Sequence, residues 1–348
     1  MALIPGDGIG PEVVDAGFEV IEAAARREGV SLRTERLPYS ADHYLRTGET
    51  LPDHAFARLR DETDAIFLGA LGDPRVPGNE HARDILLGLR FRLDLYVNFR
   101  PVTLLHPSLT PLRLDGTAGR IDFVIFRENT EGQYRGFGRA EHEGTPEERQ
   151  ISEEVHTRRG VERIIEAAFA WARAHGRTRV TMTDKSNAVP WQRIWGRLFA
   201  EVGARYPGIQ REHRYVDALA MELVREPGRF EVIVANNLYG DILSDLGAGL
   251  VGGLGLAASA NLHPGRPGLF EPVHGSAPPL AGKDVANPMA AVLTGALMLE
   301  SLGHPAAARR LEEAVRRVLA EGPRTPDIGG KSGTREVARA LREAVEGA

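Results

Sequence analysis

Apolar residues along the chain follow two alternating rhythms. Short runs such as DAIFLGAL, IDFVIFREN, RVTMTDKSN and FEVIVANNLYG are almost continuously apolar and then end in polar residues. Such runs predict strands buried on both faces. Between them, TRRGVERIIEAAFAWARAHG and HPAAARRLEEAVRRVLAEG repeat apolar positions every three or four residues and stop at glycine. That spacing predicts amphipathic helices with glycine C-termini. The alternation of the two rhythms predicts an α/β protein, in which ligands gather at the polar ends of the strands. The glycine-rich run LGAGLVGGLGLAASANL is a poor isolated helix, and its small residues suit close packing of a helix and the loop after it. No internal repeat, low-complexity segment or linker interrupts the pattern, so any domains are joined through shared sheet strands rather than a tether.

The chain opens with ALIPGDGIGPEVV, a glycine loop between a predicted strand and a predicted helix. A dinucleotide fingerprint needs a third glycine where this chain has Pro11, after Gly6 and Gly8. Proline suits the first turn of a helix, whose N–H groups lack intrahelical partners. Read alone, the loop fits a nucleotide contact and a plain tight turn equally well.

At 348 residues and 42% hydrophobic content the chain has room for two domains or one large one. It has no stretch of about 18 uninterrupted apolar residues and no basic segment leading into an apolar one, which predicts a cytoplasmic protein without a membrane role. The absence of cysteine excludes disulfides, zinc–thiolate sites and thiol nucleophiles, so any metal would be a hard, oxygen-bound one. A net charge of −5 argues against general nucleic-acid binding. Arginines outnumber lysines forty to three, and the lysines are Lys185, Lys283 and Lys331. Arginine keeps its proton in proteins whereas lysine is tuned by its surroundings, so a surviving lysine is a candidate for proton chemistry.

Four groups of residues carry potential chemistry. Asp241 and Asp245, four apart in NNLYGDILSDL, converge on one helical face. Two carboxylates there fit Mg²⁺ or Mn²⁺, although the spacing alone favours an N-cap with a solvated neighbour. Arg90, Arg92 and Arg100 in GLRFRLDLYVNFRPV, with Arg127 in VIFRENTEGQY, offer planar guanidinium groups to a di- or tricarboxylate, or simply to solvent. Lys185 follows a predicted strand in TDKSNAVPW, and Tyr134 follows RENTEGQ. A lysine near a metal is a candidate base and a tyrosine a candidate acid, and both types also serve structural roles.

Six motifs in order, PGDGIGPEV, LDLYVNFRPV, RENTEGQY, NNLYGDILSDL, FEPVHGSAP and ANPMAAVLTGALML, resemble those of the β-decarboxylating dehydrogenases that act on isopropylmalate, isocitrate, homoisocitrate and tartrate or D-malate. The resemblance extends to RTPDIGG near the C-terminus. It implies the isopropylmalate dehydrogenase-like α/β fold, distinct from a Rossmann fold. The large cofactor-binding domain would comprise 1–99 plus 252–348, and 100–251 would form the small dimerisation and metal/substrate domain.

It further implies that Arg90, Arg100 and Arg127 hold the malate carboxylates. Asp217, Asp241 and Asp245 would bind Mg²⁺ or Mn²⁺, Lys185 would act as general base and Tyr134 as the acid that protonates the enol after CO₂ leaves. Lys185 and Asp217 would come from the neighbouring subunit of a homodimer with shared active sites. The loop EPVHGSAPPLAG with ANP would bind NAD through His274, Gly275, Ser276, Ala277 and Asn287.

Two stretches depart from the family pattern. NAD-dependent members usually carry an acidic residue after GSAP, where this chain has Pro279 and then Leu280. The NADP-dependent isocitrate enzymes carry a lysine–tyrosine pair there, which is also absent, so NAD is expected and NADP is not excluded. Before Arg90, Leu86 and Leu87 resemble the alkyl pocket of isopropylmalate enzymes. Paired leucines also occur in the tartrate/D-malate branch, which the downstream motifs resemble closely. The expected substrate order is 3-isopropylmalate, then D-malate or tartrate, then a homoisocitrate-like or pathway-specific malate homologue, such as a phosphonate, whose extra anion would meet Arg83, although the plainer reading of Arg83 is an exposed arginine. A non-catalytic regulatory subunit would have lost Lys185, Tyr134 or the aspartates, and all are present.

Overall fold

A computed structural model describes residues 1–113 and 120–347. The chain folds into two compact units, one of Met1–Leu95, Thr103–Arg113 and Ala248–Ala348, the other of Tyr96–Val102 and Leu114–Gly247. The division expected from sequence assigned 103–113 to the middle of the chain. That segment instead folds with the terminal unit, where Arg324 Nη1 donates to Ser108 Oγ at 2.8 Å and Leu109 packs at Gly252.

In the terminal unit, Glu35–Arg36, Ala2–Gly6, Ala65–Ala70, Gly268–Pro272 and Ala258–Leu262 lie side by side in that order. Neighbours run parallel except the last pair, which is antiparallel. Every residue of Ala65–Ala70 and Gly268–Pro272 is buried, which explains the unbroken apolar composition of the first and leaves Glu271 as the one charged residue of the second. Helices Gly10–Arg27, Met289–Ser301, Pro305–Glu321 and Thr334–Glu346 pack together in this unit. Met289–Ser301 is apolar on nearly all sides and almost wholly buried. Helix Gly10–Arg27 approaches it closely through glycines: a Cβ on Gly295 would lie 2.3 Å from Ile21 Cδ1, and one on Gly17 would lie 2.8 Å from Ala291 Cβ. A valine at position 295 would therefore push the two helices apart and lose the burial of Ile21, about 1.5–3 kcal/mol.

The continuous helix Glu80–Arg92 changes pitch midway. Glu80–Ala82 and Gly88–Arg92 are α-helical, and Arg83–Leu87 forms a π turn. Such insertions locally widen the helix and often lie at functional sites.

In the middle unit, Val97–Thr103, Asp122–Glu128, Val232–Ala235, Arg179–Asp184 and Gln210–Tyr215 are arranged in that order. The last four strands are mutually parallel. Helix Arg158–Ala174 buries Val161, Ile164, Ile165, Ala168, Phe169 and Ala172 along one stripe, and the Thr157 side chain caps it by accepting Gly160 N–H at 2.9 Å. Helices Arg193–Gly203, Val216–Arg225 and Asn237–Leu250 complete the unit's larger elements. An exposed antiparallel ribbon pairs Gly138–Glu141 with Arg149–Ser152. The glycine-rich run remains helical through Leu250, since Gly247 packs on Val102 where a Cβ would come within 2.8 Å of Cγ2. Among the described residues no helix is long and apolar enough to cross a membrane.

Candidate active site

The middle unit brings Arg100, Arg127, Tyr134, Asp241 and Asp245 together. Arg127 stands near the end of strand Asp122–Glu128 with its side chain 1% exposed. Helix Asn237–Leu250 comes close to this strand because residue 240 is glycine, where a Cβ would fall 2.6 Å from Arg127 Cβ. Arg127 Nε and Nη2 donate to Asn237 Oδ1 at 2.9 and 2.7 Å, and Nη1 pairs with Asp241 Oδ1. Arg100 Nη1 donates to Ser244 Oγ at 2.6 Å and lies 3.3 Å from Asp241 Oδ1 and 3.4 Å from Asp245 Oδ1. The Tyr134 hydroxyl donates to Asp241 Oδ2 at 2.6 Å, and the Arg127 guanidinium lies 5.1 Å from the ring centroid.

Electrostatics follow from this packing. Burial and the bond to Asp241 raise the Tyr134 pKa, which keeps the phenol protonated at neutral pH. Asp245 has a side chain about half exposed, yet partial desolvation raises its pKa, with Asp241 reinforcing the shift and Arg100 and Arg127 opposing it. The two arginines and two aspartates cancel in charge. A dicarboxylate ligand therefore brings two negative charges that a divalent cation would balance.

Lys185 and Asp217 form a second cluster in the same unit. Lys185 follows strand Arg179–Asp184, and its Nζ lies 2.6 Å from Asp217 Oδ1. Asp217 occupies the first turn of helix Val216–Arg225, where the helix dipole favours a negative charge. The hydrogen bond from Lys185 lowers its pKa. Among the described residues no group of three His, Cys, Asp or Glu side chains could hold a metal ion. Asp217, Asp241 and Asp245 thus do not form a ligand set within one chain, and Asp217 pairs with Lys185 instead.

The terminal unit holds the remaining candidates. Arg90 is buried and Nη2 donates to Glu271 Oε1 at 2.6 Å, while Asn261 Nδ2 donates to the same oxygen at 2.9 Å. Arg92 stacks on Phe56, its guanidinium 3.7 Å from the ring centroid, and pairs with Asp53 at 2.7 Å. Leu86 packs against the apolar cluster around Leu59, Leu89 and Leu93, whereas Leu87 is half-buried outside it. Arg83 is exposed.

The opening glycine loop braces the later one. Ile9 N–H donates to the Ser276 carbonyl at 2.8 Å, and a Cβ on Gly8 would lie 1.9 Å from that oxygen. Asp7 is buried and accepts Ala41 N–H at 2.6 Å and Gly72 N–H at 2.8 Å, with His81 Nε2 at 2.7 Å. The Asp7 and Gly10 amides donate to the Ala70 and Asp7 carbonyls. With these amides engaged inside the protein, GDGIG acts as a structural loop holding the Ser276 backbone.

In the loop so held, Ala277 takes φ +38°, a left-handed conformation unfavourable to any residue with a Cβ. His274 Nδ1 lies 3.1 Å from the Gly275 carbonyl, and its buried Nε2 has no partner. Burial lowers the His274 pKa, which favours a neutral ring. A Cβ on Gly275 would meet nothing within 4 Å. An unpartnered imidazole nitrogen beside open backbone fits a ligand with its own hydrogen-bonding groups. Asn287 is buried, accepting Met289 N–H at 3.0 Å and donating to Asp327 at 3.1 Å. Pro279 and Leu280 are exposed.

The sequence reading missed Asn237, Gly240, Ser244 and Glu271. Asn237, Asp241, Ser244 and Asp245 fall at i, i+4, i+7 and i+8, so a search for polar residues along one helical face would have found the first three as a set. Glu271 is 181 residues from Arg90 and leaves no local signal.

Comparison with known proteins adds to the geometry. The family model described as isocitrate/isopropylmalate dehydrogenase matches residues 1–341. A 3-isopropylmalate dehydrogenase of Thermobifida fusca is 46% identical over 325 residues, covering 92% of this chain and 91% of its own. A probable tartrate dehydrogenase/decarboxylase of Agrobacterium vitis is 42% identical over 351 residues, covering 100% of this chain and 98% of its own. The crystal structure of isocitrate dehydrogenase from Methylococcus capsulatus superimposes with a TM-score of 0.89 at 41% identity, covering 99% of this chain and 98% of that one. The chain belongs to the isocitrate/isopropylmalate dehydrogenase family and is an enzyme of the β-decarboxylating dehydrogenase type.

Proposed function

We propose that this enzyme oxidatively decarboxylates a 3-substituted (R)-malate to a 2-oxo acid with reduction of NAD, and that 3-isopropylmalate is its substrate. The observation that carries the reading is the Asp241 carboxylate, contacted at once by Arg100, Arg127 and Tyr134. Arg90, Arg100 and Arg127 would grip the substrate carboxylates through planar paired bonds. Lys185 Nζ would take the C2 hydroxyl proton as hydride leaves C2 for the nicotinamide. Loss of the C3 carboxylate as CO₂ leaves an enolate, whose oxygen would take the proton held by Lys185 to give the enol. Tyr134 Oη would then give a proton to C3 as Lys185 takes back the enol proton, completing the 2-oxo acid.

Asp241 and Asp245 present only oxygen donors, two carboxylates on one helical face, and so fit Mg²⁺ or Mn²⁺. When bound, such an ion supplies a Lewis acid that withdraws electrons from the reacting centre. The third carboxylate, Asp217, would reach that ion in a homodimer, together with Lys185, from the neighbouring copy. Trp191, Met221 and Ile242, respectively 88%, 53% and 57% exposed, supply the kind of apolar surface that such pairing covers. His274, Gly275, Ser276 and Ala277 would contact NAD, with Asn287 framing the loop. NADP would find no cation at Pro279 or Leu280 to meet its extra phosphate. The absence of a long apolar helix among the described residues is in keeping with the proposed cytoplasmic location.

A second reading, D-malate or tartrate as substrate, is favoured by one observation. The tartrate-type relative aligns over all of this chain, whereas the isopropylmalate relative aligns over 92%. Formation of reduced nicotinamide with Mn²⁺ and NAD⁺, comparing 3-isopropylmalate with D-malate at subsaturating concentration, separates the two. Preference for isopropylmalate is expected. Preference for D-malate would move the enzyme to the second branch, and silence on both would turn attention to a specialised malate and Arg83.

A further inference from the structure

Behind Lys185 lies a buried carboxamide that no part of the reaction scheme uses. Gln192 closes the short 3₁₀ turn Pro190–Gln192, just before helix Arg193–Gly203. It is 1% exposed, although its neighbour Trp191 is 88% exposed. Gln192 Oε1 accepts the backbone N–H of Lys185 at 2.7 Å. Its Nε2 donates to Glu154 Oε2 at 2.9 Å and lies 3.2 Å from both Glu154 Oε1 and the Tyr239 hydroxyl. Glu154 also accepts from Asn236 Nδ2 at 3.1 Å, with His156 Nε2 at 3.0 Å. Asn236 Oδ1 in turn accepts the N–H of Tyr239, on the helix that carries Asp241.

The amide has one good orientation here. Reversing it would set an NH₂ group against the Lys185 N–H and an oxygen against the Glu154 carboxylate. A buried amide with acceptor and donor both engaged acts as a rigid link, because rotating it leaves unpaired polar groups on each side. Lys185 is held on its other side as well, since its carbonyl accepts Ala188 and Val189 N–H at 2.9 and 2.8 Å. The backbone from which the long lysine stem projects is thereby fixed on both sides.

We infer that Gln192, oriented by Glu154, is a positioning residue for Lys185: it fixes the lysine main chain so that Nζ reaches the substrate hydroxyl. The inference rests on the reading of Lys185 as the base. A base works only within hydrogen-bond reach of its proton, and small misplacements lower the rate steeply. Through Glu154 and Asn236 the same link joins Lys185 to the start of the helix bearing the metal-site aspartates.

The test uses the full-length enzyme with its best malate substrate, Mn²⁺ and NAD⁺. Gln192→Met keeps the length of the side chain but removes both hydrogen bonds. We expect kcat to fall about 10- to 100-fold while KM stays within about threefold. With substrate deuterated at C2 the isotope effect on kcat should rise, because the bond-breaking step becomes more limiting. Gln192→Glu keeps the acceptor for Lys185 but opposes two carboxylates, so it should be at least as impaired.

Combining it with Glu154→Gln exchanges donor and acceptor, and should restore kcat to within about threefold of the parent. An unchanged kcat and isotope effect in a well-folded Gln192→Met enzyme would overturn the inference. So would a double variant no better than Gln192→Glu alone, a comparison that still decides if Gln192→Met does not fold. Lys185→Ala is measured in parallel. If it retains turnover, the reading of the base fails; if it is inactive while Gln192→Met is normal, only the positioning role fails.

Discussion

Asp7 and Asp245 are both aspartates held near arginine- or histidine-bearing elements, yet the protein treats them in opposite ways. Asp7 is buried and accepts two backbone N–H groups, with His81 Nε2 a third neighbour at hydrogen-bond distance. Asp245 is about half exposed, and the Arg100 guanidinium stands 3.4 Å away. A carboxylate whose partners are mostly backbone is part of the framework. One set beside a like charge and solvent retains lone pairs for a ligand. The contrast separates structural from chemical acids where residue type does not.

The largest effect that sharpens this comparison is on stability. Asp7→Ala leaves the buried Ala41 amide, the part-buried Gly72 amide and a buried imidazole nitrogen without their Asp7 partner, and should cost about 4 kcal/mol of folding stability in urea denaturation. A loss below about 1 kcal/mol would show that Asp7 is no anchor.

Glu128 offers a third case, buried like Asp7 but with the Arg163 guanidinium standing off, Nη2 3.9 Å from Oε1. Burial pushes its pKa to about 7 despite hydrogen bonds from Thr130 and Glu131. The folded state therefore holds the proton more tightly than the unfolded state does. The stabilising contribution is complete below about pH 4.5 and is lost as pH rises through 7, on the order of 3 kcal/mol. Glu128→Gln should flatten the stability profile between pH 5 and 8, and parallel profiles would refute the assignment.

Asp245→Asn should behave opposite to Asp7→Ala. Its melting temperature should stay close to the parent's while kcat/KM with Mn²⁺ falls about 100-fold, roughly 2.7 kcal/mol. A marked drop in melting temperature with activity preserved would reverse the roles assigned to the two aspartates. The smallest effect is on specificity. Leu87→Ala should lower the preference for isopropylmalate over D-malate about tenfold, roughly 1.4 kcal/mol. Leu86→Ala should instead act mainly on stability, since Leu86 packs into the apolar cluster.

The strands and long helices were legible because burial imposes a period on the sequence. DAIFLGAL contains the strand Ala65–Ala70, and TRRGVERIIEAAFAWARAHG contains the helix Arg158–Ala174. The arginines and aspartates of the site stood out by residue type and spacing, and the structure brings five residues of the middle unit into one cluster. Their partners did not stand out. Glu271, Ser244 and Gln192 work through contacts distant in sequence or hidden within a turn, and such contacts impose no local period. The opening glycines left a nucleotide contact and a tight turn equally open in the sequence, and what the sequence hid is why residue 8 is glycine: the Ser276 carbonyl, far along the chain, approaches too closely for a Cβ.

The π turn at Arg83–Leu87 is a stretch of helix that already carries one residue more than an α turn holds. His81, on its N-terminal side, is tied to Asp7, and Arg90, on its C-terminal side, is tied to Glu271. Loss of one residue from the π turn would return it to α pitch with both ties in phase, whereas a further insertion would rotate everything beyond it by about 100°, so that Asp7 and Glu271 could not both keep their partners. The half-buried Leu87 inside that span can change in size and polarity, but the span cannot lengthen. Natural or laboratory diversification of this stretch is thereby open to substitution and closed to insertion.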